Sequence, residues 1–186
     1  MKLLKKPAVA VILAVLIVVG STLISADAKL SRQSAKVVNG FYDGVKYGGI
    51  VHPSIASCLS ELCDIADQMV VIANNYGLET EELTESTEDL RLSISYQDAF
   101  IRLIYSDYSD FNGPLMVLED ALNHTALSDR HSEQMAAISQ RISELKADIA
   151  ASGYNESVSA FLRRNGRFPT WQFANLFEIN LPAAFA

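Results

Sequence analysis

Apolar residues in the second half of the chain recur at helical spacing. Met135, Ile138, Ile142, Leu145 and Ile149 follow one another in steps of three and four, so one side of a helix is apolar and needs a packing partner. Ser128 stands where a helix N-cap is expected. From Ile149 to Val158 is nine residues, about half a rotation, so the two halves of this segment face different neighbours. Either the helix breaks at Ser152-Gly153 or it runs on and changes partner. Gly153 is the one breaker in the pattern, and the spacing is read here as one helix from Ser128 to Arg164, about 55 Å long. Asn165-Gly166 ends it. Phe168-Pro169 then turns the chain into a dense apolar tail of Trp171, Phe173, Leu176, Phe177 and Ile179 that is expected to fold back onto the domain.

The same spacing marks earlier helices. Leu59, Leu62, Ile65, Ala66, Met69, Ile72 and Tyr76 define a helix opened by His52-Pro53-Ser54 and closed by Gly77. A helix from Thr80 carries Leu83, Thr87, Leu90, Ile94, Ile101 and Ile104, with Gln97 midway and room for a kink over Ser93–Tyr96. Asp107–Gly113 reads as a loop, with Asn112-Gly113-Pro114 as its turn. Leu115, Leu118 and Leu122 make a short helix ending at Asn123-His124-Thr125. Between residues 29 and 46, Leu30, Val37 or Val38, Phe41 and Val45 line a weak amphipathic helix, interrupted by Gly40 and Gly44 and ended by Gly48-Gly49. The pattern is all-α: antiparallel helices packed as a bundle.

Ahead of this domain, Lys2, Lys5 and Lys6 precede an uncharged run from Pro7 to Ala26 with eleven Val, Ile and Leu residues. Twenty helical residues span about 30 Å, the thickness of a bilayer's hydrocarbon core. Residues 1–28 are therefore read as a single transmembrane anchor with a cytoplasmic N-terminus, and residues 29–186 as an extracytoplasmic domain at the cell membrane. The competing reading is a signal peptide. Ala26-Asp27-Ala28 has the small-x-small form that signal peptidase cleaves, which would leave a secreted or periplasmic protein after Ala28.

Charge narrows the choice of partners. The chain has 22 acidic and 15 basic side chains, a net charge of −7. Without Lys2, Lys5 and Lys6, 12 basic residues face 22 acidic ones, a charge of −10. Nucleic acid is excluded as a partner, because phosphate binding draws on basic surface. The acids concentrate at Glu79, Glu81, Glu82, Glu85, Glu88 and Asp89, where they complement the positive end of a helix. They offer an alternative role, attraction of a cation or cationic peptide through residues 79–89. Cys58 and Cys63 are five residues apart, about 140° around a helix, so they point apart and read as unpaired buried thiols.

Chemistry is sparse. His52, His124 and His131 have no metal-ligand spacing, and no phosphate loop or nucleophile elbow is present. No enzymatic role, metal or cofactor is expected. Asn155 and Glu144 are the polar residues of most interest, with structural hydrogen bonding as the expected role.

Tyr154-Asn155, Val158, Phe161, Phe168-Pro169, Ala174 and Leu176-Phe177 stand at spacings that resemble the C-terminal motif of the LemA family of bacterial membrane proteins. The resemblance covers about 45 residues. Two departures are the Glu178-Ile179 pair, where the family has Gly-Phe, and His52-Pro53-Ser54-Ile55, a weak counterpart of the family's Asn-Pro-rich region. The resemblance implies an elongated antiparallel helical bundle outside the cytoplasmic membrane. It also implies a scaffold or interaction role, with an unidentified protein partner and with these nine residues as structural determinants.

Overall fold

The first helix stops where a glycine lets it. The computed structural model describes residues 7–47, 49–96, 100–165, 172 and 181–185. It begins with α1, Pro7–Asp43, a single helix that takes in both the uncharged run and the amphipathic segment after it. Its end falls at Asp43, earlier than the Gly48-Gly49 stop expected from sequence. Gly44 adopts φ 83°, and its N–H bonds to Gly40 O at 3.1 Å. A Cβ at Gly44 would lie 2.5 Å from His52 O, so the following chain packs where only a glycine fits. Val45 is thereby removed from the helix face. A two-residue hairpin follows, β1 Lys46–Tyr47 with β2 Ile50–Val51, in antiparallel register Lys46↔Val51 and Tyr47↔Ile50. This hairpin holds the only strands among the described residues, every other regular element is a helix, and the fold class is all-α.

The remaining helices are α2 Ile55–Asn74, α3 Glu81–Ser95, α4 Ile101–Asn123, α5 Asp129–Ala151 and α6 Tyr154–Asn165. Ser54 caps α2, accepting the Ser57 N–H at 2.9 Å. Ser128 caps α5, accepting the His131 N–H at 3.4 Å. These two openings agree with the sequence. Three other features differ from it.

The segment from Thr80 to Ile104 is divided between two helices, α3 ending at Ser95 and α4 beginning at Ile101. Its stripe also shifts from Ile94 to the buried Ser93, whose hydroxyl bonds to Asp107 on α4. Asp107–Gly113 is helical, not a loop, and Pro114 lies inside α4. Ile101, Ile104, Phe111, Leu115, Leu118 and Leu122 are all buried on one side of that helix. This continuous apolar stripe outweighs the roughly 3 kcal/mol that proline costs within a helix. Finally, α5 breaks at Ser152-Gly153. Gly153 takes φ 70°, a left-handed conformation that no helix interior contains. The single 55 Å helix is thus two, and the half-rotation between Ile149 and Val158 is absorbed by the turn.

The chain divides into two compact units. One comprises residues 1–38 and 159–182, the other residues 39–158 and 183–186. In the first, Leu30 and Phe161 form a small buried cluster with Val37 against it, and Asn165 Nδ2 donates to Gln33 Oε1 at 3.5 Å. In the second, α2 to α5 run alternately up and down. α2 and α5 pair antiparallel: Tyr76, just past the end of α2, meets His131 in the first turn of α5, while Arg141 further along α5 bonds Glu61 near the start of α2. Arg91 on α3 bonds Asp64 and Asp67 on α2. The core of this unit holds Leu59, Leu62 and Met69 of α2, Leu83 and Leu90 of α3, Ile104, Phe111 and Leu115 of α4, and Met135, Ile142 and Leu145 of α5.

Among the described residues, no helix is long and apolar enough to cross a membrane. Most side chains of the run from Pro7 to Ala26 lie outside the described set. So do Phe168, Pro169, Trp171, Phe173, Ala174, Leu176, Phe177 and Ile179.

Candidate functional site

The motif residues that fall within the described structure meet at the start of α6. The turn at Gly153 sets Tyr154 and Asn155 as its first two residues. Tyr154, Val158 and Phe161, spaced four and three apart, are all buried, as a single helix face demands. Asn155 is half-buried and holds the C-terminal segment. Its Nδ2 donates to Phe185 O at 3.0 Å, and its Oδ1 accepts the Phe185 N–H at 2.8 Å. One amide side chain thus satisfies both backbone groups of a residue that belongs to no helix or strand. Tyr154 Oη donates to Ala183 O at 3.0 Å.

The Phe185 ring enters a socket of aromatic side chains. Its centroid lies 5.4 Å from Phe41, 5.2 Å from Tyr105 and 5.5 Å from Tyr108. Phe41 in turn meets Tyr154 edge-on at 5.6 Å. These separations are within the favourable range for ring pairs. Phe185 is 6% exposed. Burial, and secondarily the Tyr42 phenol, push the Tyr154 hydroxyl well above its ordinary pKa, and burial, with Tyr105 second, raises that of Tyr108. Both phenols therefore stay protonated and able to donate across the neutral range.

A second concavity, of about 840 Å³, runs between α2 and α5. At one end Tyr76 Oη lies 2.8 Å from His131 Nδ1 and accepts the Ser128 N–H at 2.9 Å. At the other end Arg141 grips Glu61 through two bonds of 2.7 and 2.9 Å and reaches Glu144 at 3.0 Å. Hydrogen bonding from Arg141 holds the Glu61 carboxyl below its usual range, while Glu144 is lowered first by Gln140 and then by Arg141. Glu61, which lines this groove, is thus paired with a guanidinium. The sequence could not reveal the partner of His131, because Tyr76 lies 55 positions away.

The acidic segment borders a smaller hollow of about 530 Å³ lined by Glu79, Glu81, Glu82 and Glu85 together with Pro114 and Val117. Glu88 and Asp89 are not part of its lining. Among the described residues, no group of three or more His, Cys, Asp or Glu side chains could hold a metal ion. Cys58 and Cys63 are unpaired and buried. Burial raises both thiols, Cys63 to about 11.

No protein-family model, curated protein or solved structure matches the chain.

Proposed function

We propose that this chain is a non-enzymatic scaffold or interaction protein of the LemA type, anchored by its N-terminal segment with the helical units on the extracytoplasmic side of a bacterial membrane. The observation that carries the reading is how the described motif residues are used. Tyr154, Val158 and Phe161 are packed inside, and the polar groups of Tyr154 and Asn155 are bonded to the chain's own backbone. A motif used in this way specifies shape and leaves no polar group free for chemistry. The uncharged run from Pro7 to Ala26, preceded by Lys2, Lys5 and Lys6, supports the anchor, since its twenty residues would span about 30 Å as a helix.

Membrane fractionation with protease treatment of intact and permeabilised cells tests this. The expected result is a carbonate-resistant membrane protein whose helical region is digested once the outer face is accessible. A soluble protein whose N-terminus is Lys29 would establish cleavage after Ala28 instead and reject the anchor.

A second reading has a specific observation behind it. The hollow at Glu79–Glu85 combines carboxylates with the exposed apolar Val117, the lining that attracts a cationic amphipathic peptide or a cation. Stabilisation by a cationic peptide or by calcium at millimolar concentration would support a sensor. An unchanged melting curve would remove it.

A further inference from the structure

Residues Ala183–Phe185 are held in the way a bound peptide is held. They contribute to no helix and pair with no strand. Three hydrogen bonds and one inserted ring fix them, all made by side chains of the second unit. The polar contacts reach only backbone atoms, the N–H and C=O of Phe185 and the C=O of Ala183. They would therefore accept any extended segment, while the ring socket selects the side chain. This is the division of labour of peptide-recognition sites, with main-chain bonds for affinity and a pocket for specificity. The segment's covalent attachment gives it an effective concentration of about millimolar, so the socket is filled in a resting chain.

We infer that the socket formed by Phe41, Tyr105, Tyr108, Tyr154 and Asn155 is a peptide-binding site occupied in cis by Ala183–Phe185, and that its partner in trans is the same segment of a second copy of this chain. Every copy carries both the socket and a segment that fits it, so exchange creates no new contact and no unpaired backbone group. Such reciprocal exchange is a low-cost route to a closed dimer. The inference goes beyond the scaffold reading: a soluble protein could exchange this segment equally well, and an anchored one could fail to.

The test uses the full chain. Phe185→Ala empties the ring socket, and the biotinylated peptide Leu-Pro-Ala-Ala-Phe-Ala is the probe. It should bind the variant at least tenfold more tightly than the parent chain, and a peptide with Ala in place of Phe should not bind. Mixing Phe185→Ala with Asn155→Ala, which keeps its segment but has a weakened socket, should give a heterodimer in sedimentation that neither variant gives alone. Equal binding to variant and parent, or a mixture that stays monomeric, overturns the proposal. If circular dichroism shows Phe185→Ala unfolded, the parent chain is photocrosslinked to millimolar peptide carrying benzoylphenylalanine at the Phe position. Adducts at Tyr105 or Tyr108 sustain the site, and their absence rejects it.

Discussion

Asn155 shows how much one side chain can settle. Its amide is the only described side chain that bonds both backbone groups of Phe185. Removing it leaves a largely buried N–H and C=O without partners, which costs about 1–3 kcal/mol. Asn155→Ala should therefore lower the melting temperature and expose the segment to protease, whereas Asn155→Gln should recover little, its amide being one methylene too far. The sequence marked Asn155 for attention and assigned it a structural hydrogen bond. The acceptor and donor could not be named, because Phe185 lies 30 residues on, across a segment with no periodicity to place it. Cys63 gives a second prediction. Its thiol is raised from 9.0 to about 11 by burial. The unfolded chain thus ionises first, and stability present below pH 9 is lost as pH rises towards 11, by at most about 3 kcal/mol. Tyr154 acts in the same direction at higher pH. Melting curves between pH 8 and 11 should show the decline, with Cys63→Ala flattening its lower part.

At the scale of elements, most helix faces were legible, and helix ends were legible only where a local signal agreed with the packing. α2 was readable at both ends, because Pro53-Ser54 opens it and Gly77 follows it. α4 was misread because Asn112-Gly113-Pro114 is a strong local turn signal. The apolar spacing from Ile101 through Phe111 to Leu122 runs straight through it and prevails. Packing sets the outcome and leaves proline as a local cost. Pro114→Ala should stabilise the protein by about 1–3 kcal/mol, readable as a higher denaturant midpoint with unchanged slope. Gly153 was misread in the opposite sense, as a tolerated interruption. At φ 70° an alanine is strained by about 1–2 kcal/mol. Gly153→Ala should lower stability. A gain in both helicity and melting temperature would mean that α5 and α6 can join into the single helix the spacing suggested.

For the whole molecule, the all-α class was legible because amphipathic stripes at steps of three and four cover most of the chain. The division into two units was not, since each unit is assembled from segments distant in sequence. The same limit applied to the site. The motif residues are local to α6, but the socket they help to build draws on Phe41 and on Tyr105 and Tyr108, none of which belongs to the motif. Nor could the groove between α2 and α5 be foreseen, because its Arg141–Glu61 link joins residues 80 apart.

That spread of sequence separations sets an order of assembly. α3 and α4 are consecutive and share the most extensive interface among the described helices, so little loop entropy opposes their pairing. The α2–α5 interface requires closure of a far longer loop. Folding kinetics of Leu90→Ala and Ile104→Val should therefore show slower folding with φ-values well above those of Ile138→Val and Ile142→Val, which should chiefly accelerate unfolding. A chain emerging from the ribosome would hold an α3–α4 hairpin before α5 has been synthesised. The Phe185 segment, translated after Phe41, Tyr105, Tyr108, Tyr154 and Asn155, would meet a socket whose residues are already in place.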